Sequence, residues 1–212
     1  MDLYLKDKVV IVTGGAKGIG KSIVLALAQE GAIPVIVGRR QADNLLVKAE
    51  VEALGGQALA LEAELAQPEA CAAAVAQVLS SYGRIDGLVN NAGLNDGVSL
   101  ASGSYAAFVD SLHNSLIHYY LMAHHSLPAL IKSQGSIVNI SSKTAETGQG
   151  GTSGYAAANG GRNALTREWA VELLPHKIRV NALIVAECMT PQYESWVKTL
   201  SDPEATLKKI TD

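Results

Sequence analysis

Short runs of Val, Ile and Leu recur along the chain near residues 9–13, 34–37, 58–62, 87–90, 136–140 and 179–184. Between them lie longer segments rich in Ala, Leu, Glu and Lys, at 18–30, 43–54, 68–82, 105–131 and 155–174, which read as helices. Apolar runs of strand length alternating with helical segments are the form of repeated βαβ units. Six strands and five crossovers are therefore predicted: an α/β, doubly wound parallel sheet. A length of 212 residues fits one such domain over 1–212. Gly31, Gly55 and Gly83 each sit just past a predicted helix, where a left-handed cap is wanted. Residues 99–104 and 147–154 read as loops from their Gly and Ser content, and both abut strand ends, where ligands bind in such sheets. After residue 184 the pattern changes to a loop and a helical stretch near 193–200, with no further strand.

The most specific local feature is Thr13-Gly14-Gly15-Ala16-Lys17-Gly18-Ile19-Gly20, which follows the first apolar strand and opens an Ala/Leu-rich helix. Glycines permit a tight turn and close approach of the backbone to a pyrophosphate, while the helix N-terminus offers free N–H groups and partial positive charge. A dinucleotide is the expected ligand.

Composition narrows the classes further. The chain is rich in Ala, Gly, Val and Leu and poor in aromatics, which suits helices packed closely on a buried sheet. Lys and Arg number 17 against 20 Asp and Glu, a net charge of -3, so there is no electrostatic footprint for nucleic acid or an anionic membrane. Residues 1–8 are charged and polar, and the apolar run after them is too short for a signal segment or a membrane span. Cys71 and Cys188 are far apart and show no metal-ligand or redox spacing, which points to reduced thiols in a cytoplasmic, soluble protein. His113, His118, His124 and His125 crowd one predicted helix without a carboxylate at ligand spacing, so no metal site is expected.

The glycines at 14, 18 and 20 depart from the usual G-x-G-x-x-G, and in that variant the chain resembles the short-chain dehydrogenase/reductase family. Three further features match the family in order: Asn90-Asn91-Ala92-Gly93 after the fourth strand, Asn114 in the long helix, and Ser142 followed thirteen residues later by Tyr155. The resemblance covers nearly the whole chain. It implies a Rossmann fold that lacks the family's last helix and strand, and a homodimer or homotetramer packed through the long helix and the Tyr155 helix. It implies that Gly14, Gly18, Ile19 and Gly20 hold the pyrophosphate, that Glu64 with Leu65 meets the adenine, and that Asn90, Ala92 and Gly93 line the cofactor. It further implies that Tyr155 moves the proton of the substrate oxygen and that Ser142 holds the same oxygen. By the same resemblance, Asn114 would carry a water in a proton relay.

Two departures matter. The end of the second strand, Val37-Gly38-Arg39-Arg40, has no acid to accept from a ribose 2′-OH. Arg39 or Arg40, with Lys17, would instead meet a 2′-phosphate, so NADP is preferred and NAD remains possible, the alternative being an ordinary solvated basic loop. The second departure is Asn159, which stands where the family places a lysine four residues after the tyrosine. A cation on that helix face lowers a phenol from about 10 by roughly one to three units, so its loss costs roughly tenfold to a thousandfold in rate unless another group compensates. Asn159 retains the ability to hydrogen-bond ribose hydroxyls. Lys143 and Arg162 are read as ordinary surface or packing charges, with a stand-in for the missing cation as the alternative. On sequence alone, Asn159→Lys is expected to raise turnover.

Residues 140–150 and 189–193 resemble the sugar-oxidising branch of the family, such as L-fucose dehydrogenases. Asn95, Lys143, Gln149 and Glu187, with Glu146, Thr152 and Gln192, offer the polar groups a pyranose site needs. The reaction implied is oxidation of an aldose to its lactone, with Tyr155 as base. Two alternatives stay open: a 3-oxoacyl-thioester or other ketone reductase, and an NADP-binding protein with little turnover.

Overall fold

The computed structural model describes residues 2–199 and 201–211. Its strands are β1 (Val9–Thr13), β2 (Ile33–Gly38), β3 (Leu59–Glu62), β4 (Gly87–Asn90), β5 (Ser136–Ser142) and β6 (Arg179–Val185). They form a single sheet in the order β3-β2-β1-β4-β5-β6, every neighbouring pair parallel. The order reverses between β1 and β4, which opens a crevice at their C-terminal ends.

β1 shows why these runs become central strands. Val9 and Ile11 face one core with Cys71 and Val75 of α3 (Pro68–Tyr82), Leu130 of α5 (His118–Ser133) and Trp169 of α7 (Ser153–Glu172). Val10 and Val12 face the opposite core with Val24 of α1 (Gly18–Gln29) and Val47 of α2 (Gln41–Ala53). A run apolar at every position is what two helical layers require. At the sheet edge, Leu183 and Ile184 of β6 are 55% and 46% exposed.

The predicted helix at 105–131 is not one regular helix. It is α4 (Tyr105–Leu112), a π-helical turn (His113–Ile117) and α5, and this break bears on the site. β5 runs two residues beyond its predicted end, so Ser141 and Ser142 pair with Ile184 and Val185. A short α6 (Thr144–Thr147) follows. In the tail, α8 (Pro191–Val197) starts before its predicted position because the Thr190 hydroxyl caps it, accepting from Tyr193 N at 3.2 Å, with proline in the first turn. Position 200, its predicted end, lies outside the described residues. A further helix, α9 (Pro203–Thr211), was not anticipated. No helix among the described residues is long and apolar enough to cross a membrane.

At the opposite end of the sheet from the crevice, Asp86 anchors the start of β1. Its carboxylate accepts from Arg84 Nε (2.8 Å) and Nη2 (2.6 Å), from Val9 N (3.0 Å) and from Lys8 Nζ (3.4 Å). Burial alone would raise its pKa, but the Arg84 and Val9 donors outweigh burial and hold it below the ordinary 3.8. A lowered native pKa means that stability from this carboxylate is present above about pH 4 and is lost as pH falls through the native value. Asp86→Asn should therefore cost about 1–3 kcal/mol at neutral pH and flatten the loss of stability below about pH 4. Urea unfolding at neutral and acid pH tests both effects.

Candidate active site

The glycine loop is built around Thr13, whose buried hydroxyl accepts from the backbone N–H of Asn91 (2.8 Å) and Ala92 (3.1 Å). Asn91 returns the contact, its amide donating to Thr13 O (2.9 Å) and Gly14 O (3.3 Å). Gly14 N donates to Val37 O at 2.8 Å, and Gly14 takes φ +64. These bonds lock the ends of β1, β2 and β4 into one crevice wall. No side chain caps the N-terminus of α1 and no acidic residue lies in its first turn. Its leading N–H groups are left to an anion, so Gly14, Gly18, Ile19 and Gly20 fit the pyrophosphate of a dinucleotide. A feature missed in the sequence covers the loop: a Cβ on Gly18 would lie 3.2 Å from the Thr190 methyl, so the chain after β6 folds back over the phosphate site.

The basic residues after β2 are not free. Lys17 Nζ lies 2.8 Å and Arg40 Nε 3.1 Å from the Asp43 carboxylate, and these two cations hold the Asp43 carboxyl below its usual range. Arg39 Nη1 lies 4.0 Å from Glu64 Oε2, which joins the predicted adenine-side carboxylate to the predicted phosphate-side arginine. Leu65 beside it is buried in the core. Asn90 is buried as well. Its amide donates to Asn139 Oδ1 at 3.0 Å, Asn139 donates to Thr166 Oγ1 at 2.9 Å, and Thr166 donates to Arg162 O at 2.7 Å. This chain ties β4 and β5 to α7 and leaves the Asn90 backbone, Ala92 and Gly93 at the crevice.

Ser142 ends β5 and Tyr155 occupies the first turn of α7, which packs against β5. The Ser142 hydroxyl donates to Thr144 Oγ1 at 3.1 Å, and that hydroxyl donates to Gln149 Oε1 at 3.3 Å. Lys143, the residue after Ser142, pairs with Glu187 of the segment that follows β6. The Lys143 ammonium holds the Glu187 carboxyl below its usual range. Other predicted contributors are already engaged: Asn95 Oδ1 accepts from Gly97 N at 3.3 Å, and Glu146 accepts from Asn163 at 2.6 Å. Thr152 precedes α7 without a capping bond, and the side chain of Gln192 lies outside the described residues. Asn114 sits in the π turn with its side chain exposed, and its carbonyl meets the His118 ring at 3.2 Å. Among the described residues no cluster could hold a metal ion.

Asn159 is fully buried. Its amide donates to Tyr155 O at 2.8 Å and its oxygen accepts from Arg162 Nη1 at 2.9 Å. Arg162, read from sequence first as a surface or packing charge, is only 3% exposed. Beyond Asn159, its Nη1 donates to Ile140 O (3.1 Å), while Nε (2.7 Å) and Nη2 both donate to Ser115 O. The π turn presents that carbonyl to α7. Lys143, the other stand-in considered, is exposed and committed to Glu187.

A crevice at the switch point of a parallel sheet, a glycine loop leading into an uncapped helix, and a serine and tyrosine on adjoining elements define a nucleotide-dependent oxidoreductase. A short chain dehydrogenase profile matches residues 8–201, and the chain belongs to that family, whose members use NAD(P) and act on CH–OH groups. The chain is 34% identical over 205 residues to L-fucose dehydrogenase of Mus musculus, covering 96% of this chain and 74% of that one. It is also 37% identical over 195 residues to 3-oxoacyl-[acyl-carrier-protein] reductase FabG of Thermotoga maritima, covering 91% and 78%. Among solved structures, the Cj0485 dehydrogenase is similar with a TM-score of 0.91 and 42% identity, covering 99% of this chain and 80% of that chain. Levodione reductase follows with a TM-score of 0.89 and 33% identity, covering 97% and 81%.

Proposed function

We propose that this chain oxidises the anomeric hydroxyl of an aldose, L-fucose or a close relative, to its lactone, with NADP as the preferred cofactor. The observation that carries the reading is the set of bonded polar side chains that begins at Ser142, where β5 ends. Lys143 paired with Glu187, and the Ser142–Thr144–Gln149 hydroxyl chain, offer donors and acceptors to several sugar hydroxyls at once. An acyl-chain site would be lined mainly by apolar side chains. Similarity to L-fucose dehydrogenases supports the same choice.

In this reading Tyr155 takes the proton of the anomeric hydroxyl and Ser142 holds the same oxygen while the C–O bond gains double-bond character. The dinucleotide, when bound, supplies the hydride acceptor. Gly14, Lys17, Gly18, Ile19 and Gly20 hold its phosphates, Glu64 and Leu65 border the adenine, and Asn90, Ala92 and Gly93 line its path. Arg39, Arg40 and Lys17 supply the positive charge for a 2′-phosphate, and Asp43 competes for two of them. Asp43→Asn should therefore tighten NADP by about three- to tenfold while changing NAD by less than about twofold. Fluorescence titration of both dinucleotides checks this, and an equal change in both would contradict it.

The reading places residues 1–212 in one nucleotide-binding domain working in the cytoplasm, where the free thiols of Cys71 and Cys188 stay reduced. It assembles the chain as a homodimer or homotetramer through α5 and α7, whose exposed apolar residues include Tyr120 and Val171. A second reading, 3-oxoacyl-thioester reduction, draws on the similarity to FabG. One screen separates them: NADP-dependent oxidation of L-fucose and other aldoses, set beside reduction of a β-ketoacyl thioester. Turnover of the thioester with no aldose oxidised would replace the first reading with the second.

A further inference from the structure

Arg162 is a cation buried without an anion. Among the described residues no carboxylate pairs with its guanidinium, which is satisfied by oxygens of Ser115, Ile140 and Asn159 and lies 4.3 Å over the ring of Tyr119. Such a charge is among the costlier arrangements a fold can hold, and an apolar side chain of similar volume would pack there more cheaply. The location is specific. Ile140 lies two residues before Ser142 on β5, and the Ser115 hydroxyl is bonded to Leu94 O at 3.2 Å. A Cβ on Gly93 would lie 2.6 Å from Arg162 Nη2, so the guanidinium reaches the crevice wall itself. Along α7 the guanidinium lies against Asn159, one turn N-terminal to Arg162 and one turn C-terminal to Tyr155. Asn159 spans the interval, bonded to Arg162 on one side and to the Tyr155 carbonyl on the other.

We propose that Arg162 is the fixed cation of this active site, a positioning residue that stabilises the Tyr155 phenolate by its field and holds Asn159 in place. The proposal rests on the reading of Tyr155 as the proton acceptor. A fixed positive charge near a phenol favours its ionised form, and an arginine keeps that charge at every working pH. The buried neighbours do not blur it. His118 is pushed down to about 3 by burial and by the Arg162 charge, and Tyr119 is pushed up to about 12 by burial, so neither titrates between pH 5 and 9. On the other elements packed against α7, Lys143 and Glu146 are engaged with Glu187 and Asn163, Asp110 lies on α4, Arg179 opens β6, and His113 is exposed on the π turn.

The geometry reverses the sequence expectation for Asn159. A lysine there would set an ammonium against the guanidinium that now bonds the Asn159 oxygen, so Asn159→Lys alone should lower thermal stability and leave turnover no higher. With the arginine removed, the same lysine should rescue.

The test is the pH profile of kcat/KM for aldose oxidation in wild type, Arg162→Gln, Arg162→Lys, Asn159→Lys/Arg162→Gln and Tyr155→Phe, with melting temperature and NADP affinity measured in parallel. Arg162→Gln should move the acid limb up by about one unit or more and lower neutral-pH turnover about tenfold or more. Arg162→Lys and the double variant should return the limb toward wild type. A folded Arg162→Gln protein with an unshifted limb overturns the proposal. Should Arg162→Gln not fold, the double variant decides: it restores charge without the Arg162 hydrogen bonds, so recovered activity with a near-wild-type limb supports the proposal. A folded but inactive double variant, or one that also fails to fold, shows Arg162 to be structural. If Tyr155→Phe keeps turnover, it is the reading of Tyr155 that fails. If Tyr155→Phe is inactive and the Arg162→Gln limb stays in place, only the Arg162 proposal falls.

Discussion

Gly20→Ala is expected to abolish dinucleotide binding, raising the dissociation constant by at least about a hundredfold. A Cβ at this position would overlap the Gly14 carbonyl oxygen and lie 2.6 Å from the Asn91 amide nitrogen. Neither neighbour has room to give. The Gly14 carbonyl is backbone of the turn proposed to meet the pyrophosphate, and the Asn91 amide is committed to Thr13 and Gly14. Relief would require the start of α1 to move away from β1, which would carry its leading N–H groups off the proposed pyrophosphate position. Gly160→Ala is the matched control. It lies inside α7 with nothing within 4 Å of the added methyl, so it should bind NADP normally and gain about 0.5–1 kcal/mol from helix propensity. Titration of NADP against both variants, with melting curves, separates loss of the site from loss of the fold.

Tyr155→Phe should lower turnover by about a hundred- to ten-thousandfold while leaving NADP affinity within about threefold of wild type. The substitution removes one hydroxyl from a partly exposed side chain in the first turn of α7 and disturbs no described hydrogen bond of that oxygen. The Asn159 amide holds the Tyr155 backbone carbonyl, not the phenol, so the turn and its packing remain. Loss of turnover with retained binding identifies the phenol with the chemical step, whereas equal losses in both would assign Tyr155 to the binding surface.

The parts of the site legible in the sequence are those whose geometry is local. Residues 9–20 carry a strand, a glycine turn and a helix start in one uninterrupted stretch, and Gly15 and Gly20 meet Val12 and Gly14 of that stretch, whereas Gly14 and Gly18 meet Asn91, Ala92 and Thr190 from elsewhere in the fold. Ser142 and Tyr155 were legible only through their likeness to the family's serine and tyrosine spacing, and the fold sets them at a strand end and in the first turn of the next long helix. Arg162 was legible only as one of two candidate cations, and its burial was not. Whether a charge two turns along a helix is buried depends on the oxygens that other elements present to it, above all Ser115 O. That carbonyl is available because residues 113–117 form a π turn inside a segment whose spacing suits an ordinary α-helix. Asp43 escaped notice similarly. Its role follows from α2 beginning at Gln41, which sets its carboxylate between Lys17 and Arg40.

The fold also explains why the missing lysine is an incomplete description of the site. Position 159 looks like a lost charge when read alone, but Arg162, one helical turn further along α7, is a buried cation bonded to the Asn159 oxygen. The Gly93 wall, the Leu94–Ser115 bonds and the Ile140 carbonyl all lie around that cation.

The central claim, that Tyr155 acts as base in NADP-dependent oxidation of an aldose, is tested most directly by product stoichiometry. Purified wild-type protein is incubated with L-fucose and NADP, and lactone and reduced NADP are quantified together, with Tyr155→Phe in parallel. The account predicts the two products in equal amounts from wild type and neither above background from the variant. Lactone from both proteins, or none from wild type with any aldose while NADP binds tightly, would contradict it.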